Sequence, residues 1–276
     1  MEKLYRTLDN INIFKDTQTH CKTDSQLKEA IKITDAKQEF ISEIEELEEV
    51  KNSRLYEYSK VIVSKKRTLE AAKEYQGKKV AVLNFADAIT PGGAVLYGAS
   101  TQEEAICRCS TLYESISKDE MLKQFYYPHR NLDFFYNDDV IYTPDVIVFK
   151  EDIVEAKMMP REEWYTVDVI TCAAPYFGAI PREERKNISV FELMVIFGSR
   201  IERILEVAKK KGVEVLILGA FGCGAFANPP EIVAKVFKEA LSEYGKYFEI
   251  VEFAVYCSKG DTKNHRVFEE ILGNMV

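Results

Sequence analysis

The sequence predicts an α/β fold of three layers, with helices on both faces of a central sheet. Three observations carry that expectation. Strand-like apolar runs alternate with helical patterns along most of the chain. Residues 80–83 and 215–218 are short, continuously apolar runs bounded by turn residues, and residues 167–173 read as a further buried strand that ends at Pro175. Residues 189–211 form the longest helical pattern, with Phe191, Met194, Val195, Ile201, Ile204, Leu205 and Ala208 on one side.

In chain order, residues 1–60 are polar and charged and show no strand-like alternation. Asp24-Ser25 is placed to cap a short helix running to residue 33. Phe40, Ile41, Ile44, Leu47 and Val50 recur at helical spacing with acids between them. Residues 1–60 therefore read as an N-terminal helical cap packed on the core, ahead of a main domain of residues 61–276. A lid or partner surface is the other reading of that stripe. A short strand at 61–63 precedes a helix from Thr68 to Tyr75, which Gly77 closes before the strand at 80–83.

A helix then opens at Thr101-Gln102-Glu103-Glu104, and another helical patch spans 121–127. Asn137-Asp138-Asp139 forms a turn before two β-rich pieces, 140–142 and 146–149. Pro144 separates them, which suits a hairpin or two sheet strands. The strand at 167–173 ends at Pro175, and Gly212 closes the long helix before the strand at 215–218. A glycine-rich loop, 219–230, leads into a helix at 231–244, with prolines near its start where a missing N–H is harmless. A final strand at 250–256 and a final helix at 264–272 complete the alternation.

Bulk properties narrow the function. The 276 residues are 46% hydrophobic, enough for a sizeable core, and the net charge of −8 argues against a general nucleic-acid binder. Cys21, Cys107, Cys109, Cys172, Cys223 and Cys257 form no spaced disulfide framework, so free thiols in a reducing compartment are expected. With no apolar leader and no long apolar run, a cytoplasmic location is expected and a membrane partner is not. Cys107-Arg108-Cys109 lacks metal-ligand spacing, and His20, His129 and His265 are scattered, so neither a zinc site nor a Cys–His nucleophile is expected.

The chemistry concentrates in residues 80–113. Pro91-Gly92-Gly93 marks a tight loop whose bare backbone can approach a ligand, and Gly98 adds a second flexible point. Free N–H groups there and at the following helix start make an anion site. The adjacent Glu103 and Glu104 beside it point to acid/base work on a phosphate-bearing substrate. Thr101-x-x-Glu104 also fits a capping box, which is a purely structural use of the same residues.

The stretch LNFADAITPGGAVLYGASTQEE resembles the signature of microbial-type poly(ADP-ribose) glycohydrolases, a family of the macrodomain superfamily. GAFGCGAFANPP at 219–230 and DVITCAAP at 168–175 are similar to two further family elements, so the resemblance spans most of residues 60–276. It implies a macrodomain-like mixed sheet and hydrolysis of a ribose glycosidic bond to release ADP-ribose, with no metal or cofactor. Glu104 would be the general acid/base, Glu103 would orient the ribose and Gln102 would support the pair. Gly92 and Gly93 would wrap the diphosphate or distal ribose. Ala94 stands where the family commonly has a third glycine, a departure that bears on cleavage of long polymer. Asp87 lies where relatives often carry Asn on the distal ribose; a local turn is its other reading. Gly222, Cys223, Gly224, Ala225 and Phe226 would form the second phosphate loop, with Phe226 against the ribose and Asn228 holding the loop. Tyr176 and Phe177 would flank adenine or serve as edge packing. The expected partner is ADP-ribose or an ADP-ribosylated macromolecule. A non-catalytic ADP-ribose reader, or a hydrolase of mono-ADP-ribosylated protein or nucleic acid, would use the same loops.

Overall fold

The computed structural model describes residues 2–47, 55–57, 59–258 and 260–275. Seven strands form one sheet: β1 (Glu39–Ile41), β2 (Lys60–Ser64), β3 (Val80–Phe85), β4 (Val140–Val148), β5 (Tyr165–Cys172), β6 (Val215–Leu218) and β7 (Ile250–Ala254). Their spatial order is β1-β4-β5-β3-β6-β7-β2. The run from β5 to β2 is parallel, while β4 lies antiparallel to both β1 and β5. The sheet is therefore mixed, with its antiparallel part at one edge.

Alternation along the strands sorts the helices into two layers. Ala81, Leu83, Ile170, Cys172, Leu216, Leu218, Val251 and Phe253 face one core. That core is closed by α5 (Val190–Lys210), α6 (Pro230–Tyr244) and α7 (Lys263–Leu272). Val80, Val82, Val167, Val169, Val215 and Ile217 face the opposite core. Here pack α1 (Glu2–Thr23), through Phe14, then α3 (Thr68–Lys73) and α4 (Gln102–Cys109). Between α1 and α3 in the chain, α2 (Ser25–Lys37) covers β4 through Leu27 and Ile31. The cap read at Asp24 forms, its Oδ1 accepting from Gln26 N and Leu27 N, and the structure adds a reciprocal capping box between Ser189 and Glu192.

Two expectations are corrected. The stripe from Phe40 to Leu47 is not helical: residues 39–41 pair with β4, Glu39 opposite Tyr142 and Ile41 opposite Val140. Only Ile41 of the stripe is buried, and Ile44 is 86% exposed. The open edge of β4 offers ladder hydrogen bonds that outweigh a weak 3.6-residue pattern. Val50, the last member of that stripe, lies outside the described residues. A strand of the central sheet thus falls within the segment expected to be a helical cap. The two β-rich pieces around Pro144 are one strand, β4, with a bulge between Thr143 and Val146. Asp145 takes φ +55° there, and its N–H is held by Asp168 Oδ1 at 3.0 Å. Among the described residues no helix is long and apolar enough to cross a membrane.

The helix α1, unmarked in the sequence by any strong apolar stripe, docks on the loop before α4. Asn10, 4% exposed, donates from Nδ2 to Gly98 O at 2.9 Å, and Thr17 Oγ1 donates to Arg108 O at 2.6 Å. Gly98 has φ +76°, and a Cβ there would sit 2.3 Å from Thr7 O. The absent side chain is what lets two backbones touch. We expect Gly98→Ala to destabilise the fold by about 1–3 kcal/mol, read as a lowered midpoint in denaturant titration. An unchanged midpoint would show that α1 does not depend on that contact.

Candidate active site

The cleft opens at the C-terminal ends of β3, β5, β6 and β7, where a parallel sheet leaves loops free to converge. It encloses a cavity of about 500 Å³. The chain leaves β3 at Phe85, turns at Asp87, passes the glycine pair and a short 3-10 turn (Val95–Tyr97), and enters α4. Gln102 ties the two elements together: its side chain accepts from Phe85 N at 2.9 Å and donates to Leu83 O at 2.7 Å and Thr68 Oγ1 at 3.1 Å. It acts on strand and helix, not directly on the glutamates.

Glu103 and Glu104 stand in the first turn of α4 and are 2% and 5% exposed. Glu103 accepts three N–H donors: Asp87 N at 2.7 Å, Gly92 N at 3.2 Å and Asn84 Nδ2 at 3.2 Å. Glu104 Oε1 accepts from Ala94 N at 3.0 Å, and Thr101 Oγ1 donates to its other oxygen. Thr101 does not cap the helix with its side chain, so the capping-box use of these residues is not the one the fold makes. Gly93 (φ +56°) lies flat against the pair: a Cβ there would meet Glu104 Oε1 at 2.6 Å and Glu103 Oε2 at 3.1 Å. Ala94 has φ −97°, so the alanine in place of a third glycine costs the loop no strain.

Asp87 binds locally. Its Oδ1 accepts from Ile89 N and Thr90 N, both at 2.9 Å, as a turn residue does, while its side chain also lines the cavity. On the opposite wall, Gly222, Gly224, Ala225 and Phe226 line the cavity. Asn228, 2% exposed, braces this loop by donating to Pro175 O at 2.7 Å and Gly222 O at 2.9 Å. Phe226 stacks on Tyr176 with ring centroids 4.4 Å apart, so the two rings form one wall. Of the residues expected to touch ligand, Gly92, Cys223 and Phe177 do not line the cavity, and Phe177 packs on the core as the edge-packing reading has it. Gly92 abuts the Tyr113 ring, and the Cys223 thiol faces Phe221 O at 3.5 Å. Burial pushes that thiol up, away from any nucleophilic thiolate.

Sequence reasoning missed four contributors. Asn84, fully buried in β3, orients Glu103 and also meets Thr171 Oγ1 at 3.3 Å. A polar residue inside an otherwise apolar strand was its only signal. Arg67, Asp152 and Tyr256 come from three separate loops. The Arg67 guanidinium lies 4.2 Å over the Tyr256 ring and 3.8 Å from Asp152 Oδ1, and it is the sole cationic side chain among the residues lining the cavity. Nothing local in sequence brings these three together. Among the described residues no group of three His, Cys, Asp or Glu side chains is placed to hold a metal ion.

With this geometry in hand, comparison with known proteins is decisive. The family model of the microbial-type PARG catalytic domain matches residues 4–151. The chain belongs to this family. The matched stretch carries the glycine loop and both glutamates, and it begins in α1, so the N-terminal helix is part of what the family shares. The fold is that of poly(ADP-ribose) glycohydrolase structures. One from Thermomonospora curvata is 29% identical with a TM-score of 0.82, over 95% of this chain and 99% of that one. A T. curvata structure bound to the inhibitor ADP-HPD is 30% identical with a TM-score of 0.80, over 95% and 98%. A Deinococcus radiodurans enzyme in complex with ADP-ribose is 27% identical with a TM-score of 0.75, over 88% and 97%. No curated protein sequence matches. By family and fold the chain is a poly(ADP-ribose) glycohydrolase.

Burial pushes the Glu103 carboxyl well above its ordinary value of 4.5, aided by the charges of Glu104 and Asp87, against the pull of the Asp87 N–H and the Asn84 amide. Burial likewise raises Asp87, with Glu104 adding to it. The folded state thus holds the Glu103 proton to higher pH than the unfolded chain, which releases it near 4.5. Stability from this group is full below that value and is lost as pH rises through the raised native one. We expect the melting temperature to fall as pH goes from about 5 to about 8, and Glu103→Gln to flatten that slope. An identical slope in the variant would refute the assignment.

Proposed function

We propose that the chain releases ADP-ribose from poly(ADP-ribose) with Glu104 as general acid and base. The observation that carries this reading is the pairing of two buried carboxylates, held by backbone N–H groups, at the wall of a cavity sized for one nucleotide sugar. Each carboxylate costs desolvation free energy, which a mere binder of ADP-ribose would have no reason to sustain. The relatives solved with ADP-ribose and with ADP-HPD support the same ligand class for this cleft.

In the proposed reaction, protonated Glu104 gives its proton to the departing glycosidic oxygen as the C1″–O bond breaks. Positive charge develops on the distal ribose, an oxocarbenium-like centre that the Glu104 carboxylate left by this transfer and the substrate's diphosphate stabilise. Water then attacks C1″, and Glu104 takes its proton. The Thr101 hydroxyl and Ala94 N–H keep the carboxyl in one rotamer through both steps. Glu103 orients the ribose hydroxyls; its three N–H donors prevent it from swinging away. Gly222 and Gly224 offer backbone to the diphosphate, and the Phe226–Tyr176 wall limits the position of the sugar. Six unpaired cysteines, four of them buried, support a reducing cytoplasmic setting.

Glu104→Gln should lower ADP-ribose release from polymer by about 10²–10⁴-fold, while calorimetry shows ADP-ribose affinity close to wild type. Retained turnover would end the proposal. Arg67→Ala should weaken ADP-ribose binding by about tenfold and make it less salt-dependent, with kcat at saturation little changed. A loss confined to kcat would place Arg67 in the chemical step instead.

A further inference from the structure

Joined to the cavity wall by hydrogen bonds through Asp87 and Tyr176, an exposed rim carries Ile89, Tyr127 and Phe134, which are 37%, 43% and 43% exposed. It is built onto the site. Arg130 Nη2 donates to Ile89 O at 3.3 Å, Ile89 N is held by Asp87 Oδ1, and Asp87 N is held by Glu103. On its other side Phe134 O accepts from Tyr176 N, at 2.6 Å, and Tyr176 lines the cavity. The Arg130 guanidinium lies 4.6 Å over the Tyr127 ring, and no ion pair joins it to a carboxylate among the described residues. A π-helical turn, Leu122–Tyr126, immediately precedes Tyr127, an interruption often found where a helix serves a site.

A cavity of about 500 Å³ has room for one ADP-ribose unit. In the polymer the departing oxygen belongs to a second unit, which must then lie outside the cavity. The chain carries a net charge of −8, so most of its surface repels that polyanion. A stacked guanidinium and phenol without a carboxylate partner is a flat cationic surface, the kind on which nucleobases stack. We propose that the rim is a subsite for the ADP-ribose unit on the leaving side of the scissile bond. Its adenine stacks on the Tyr127–Arg130 pair, and its diphosphate meets the Arg130 edge. Such a subsite favours polymer over a single ADP-ribose on protein, because only the polymer presents a base and diphosphate there. This inference rests on the glycohydrolase reading, and its test is separated from it.

The test uses Glu104→Gln protein, in which binding is read without turnover. Arg130→Ala and Tyr127→Ala are each added to it, and affinities for purified poly(ADP-ribose) and for ADP-ribose are measured. Both side chains are exposed, so matched melting temperatures are expected. Polymer affinity should fall by about tenfold in each variant, the loss expected for one base-stacking contact, with ADP-ribose affinity unchanged. Unchanged polymer affinity, or equal losses for both ligands, would overturn the subsite. Failure of the wild-type protein to release ADP-ribose from polymer would instead overturn the glycohydrolase reading and leave the binding comparison interpretable.

Discussion

Everything at the glutamate end of the cleft depends on one close approach, the Gly93 backbone lying against the Glu103 and Glu104 carboxyl groups. A single methyl at that position would collide with both. The contact allows the loop's N–H groups to point into the carboxylates: Asp87 and Gly92 to Glu103, Ala94 to Glu104. Two acids are thereby buried side by side without being left unsatisfied, the condition under which buried carboxyls survive in a fold. The Glu103 carboxyl is also held from below by Asn84, and the loop is anchored from outside by α1 at Gly98.

The two glutamates occupy unlike surroundings although they are adjacent. Glu103 is held on both oxygens by three nitrogen donors. Glu104 has one backbone donor and a hydroxyl partner that can itself accept or donate. A group that must gain and lose a proton needs a partner tolerant of both states, and a group that must only orient a sugar needs fixed donors. Their hydrogen bonds thus support the proposed division of labour, with Glu104 as acid and base and Glu103 as the group that orients the sugar.

The long elements were legible because their patterns are strong and local. Strand β6 and the first four residues of β3 are continuous apolar runs, β5 is rich in β-branched residues, and α5 carries both a capping box and a broad apolar stripe. The 39–47 segment misled because its apolar residues fit a helix by spacing, while the deciding partner, the edge of β4, lies about a hundred residues away. The bounds of α1 within the expected helical cap were not legible because its buried face mixes Phe14 and Cys21 with Asn10 and Thr17, so no continuous apolar stripe marks it.

By itself the sequence determined the order of strands and helices from β2 onward, the two glycine loops and the paired glutamates, since each is written in contiguous residues. Propensity, apolar period and glycine placement act over a few positions, so they can be read there. Only the tertiary structure decided that Gln102 serves strand and helix, that Cys223 faces away from the cavity, and that Asn84, Arg67, Asp152 and Tyr256 belong to the site. Those facts arise where loops from distant strands meet at one end of the sheet. Register and packing set such meetings, and no local pattern in the chain encodes them.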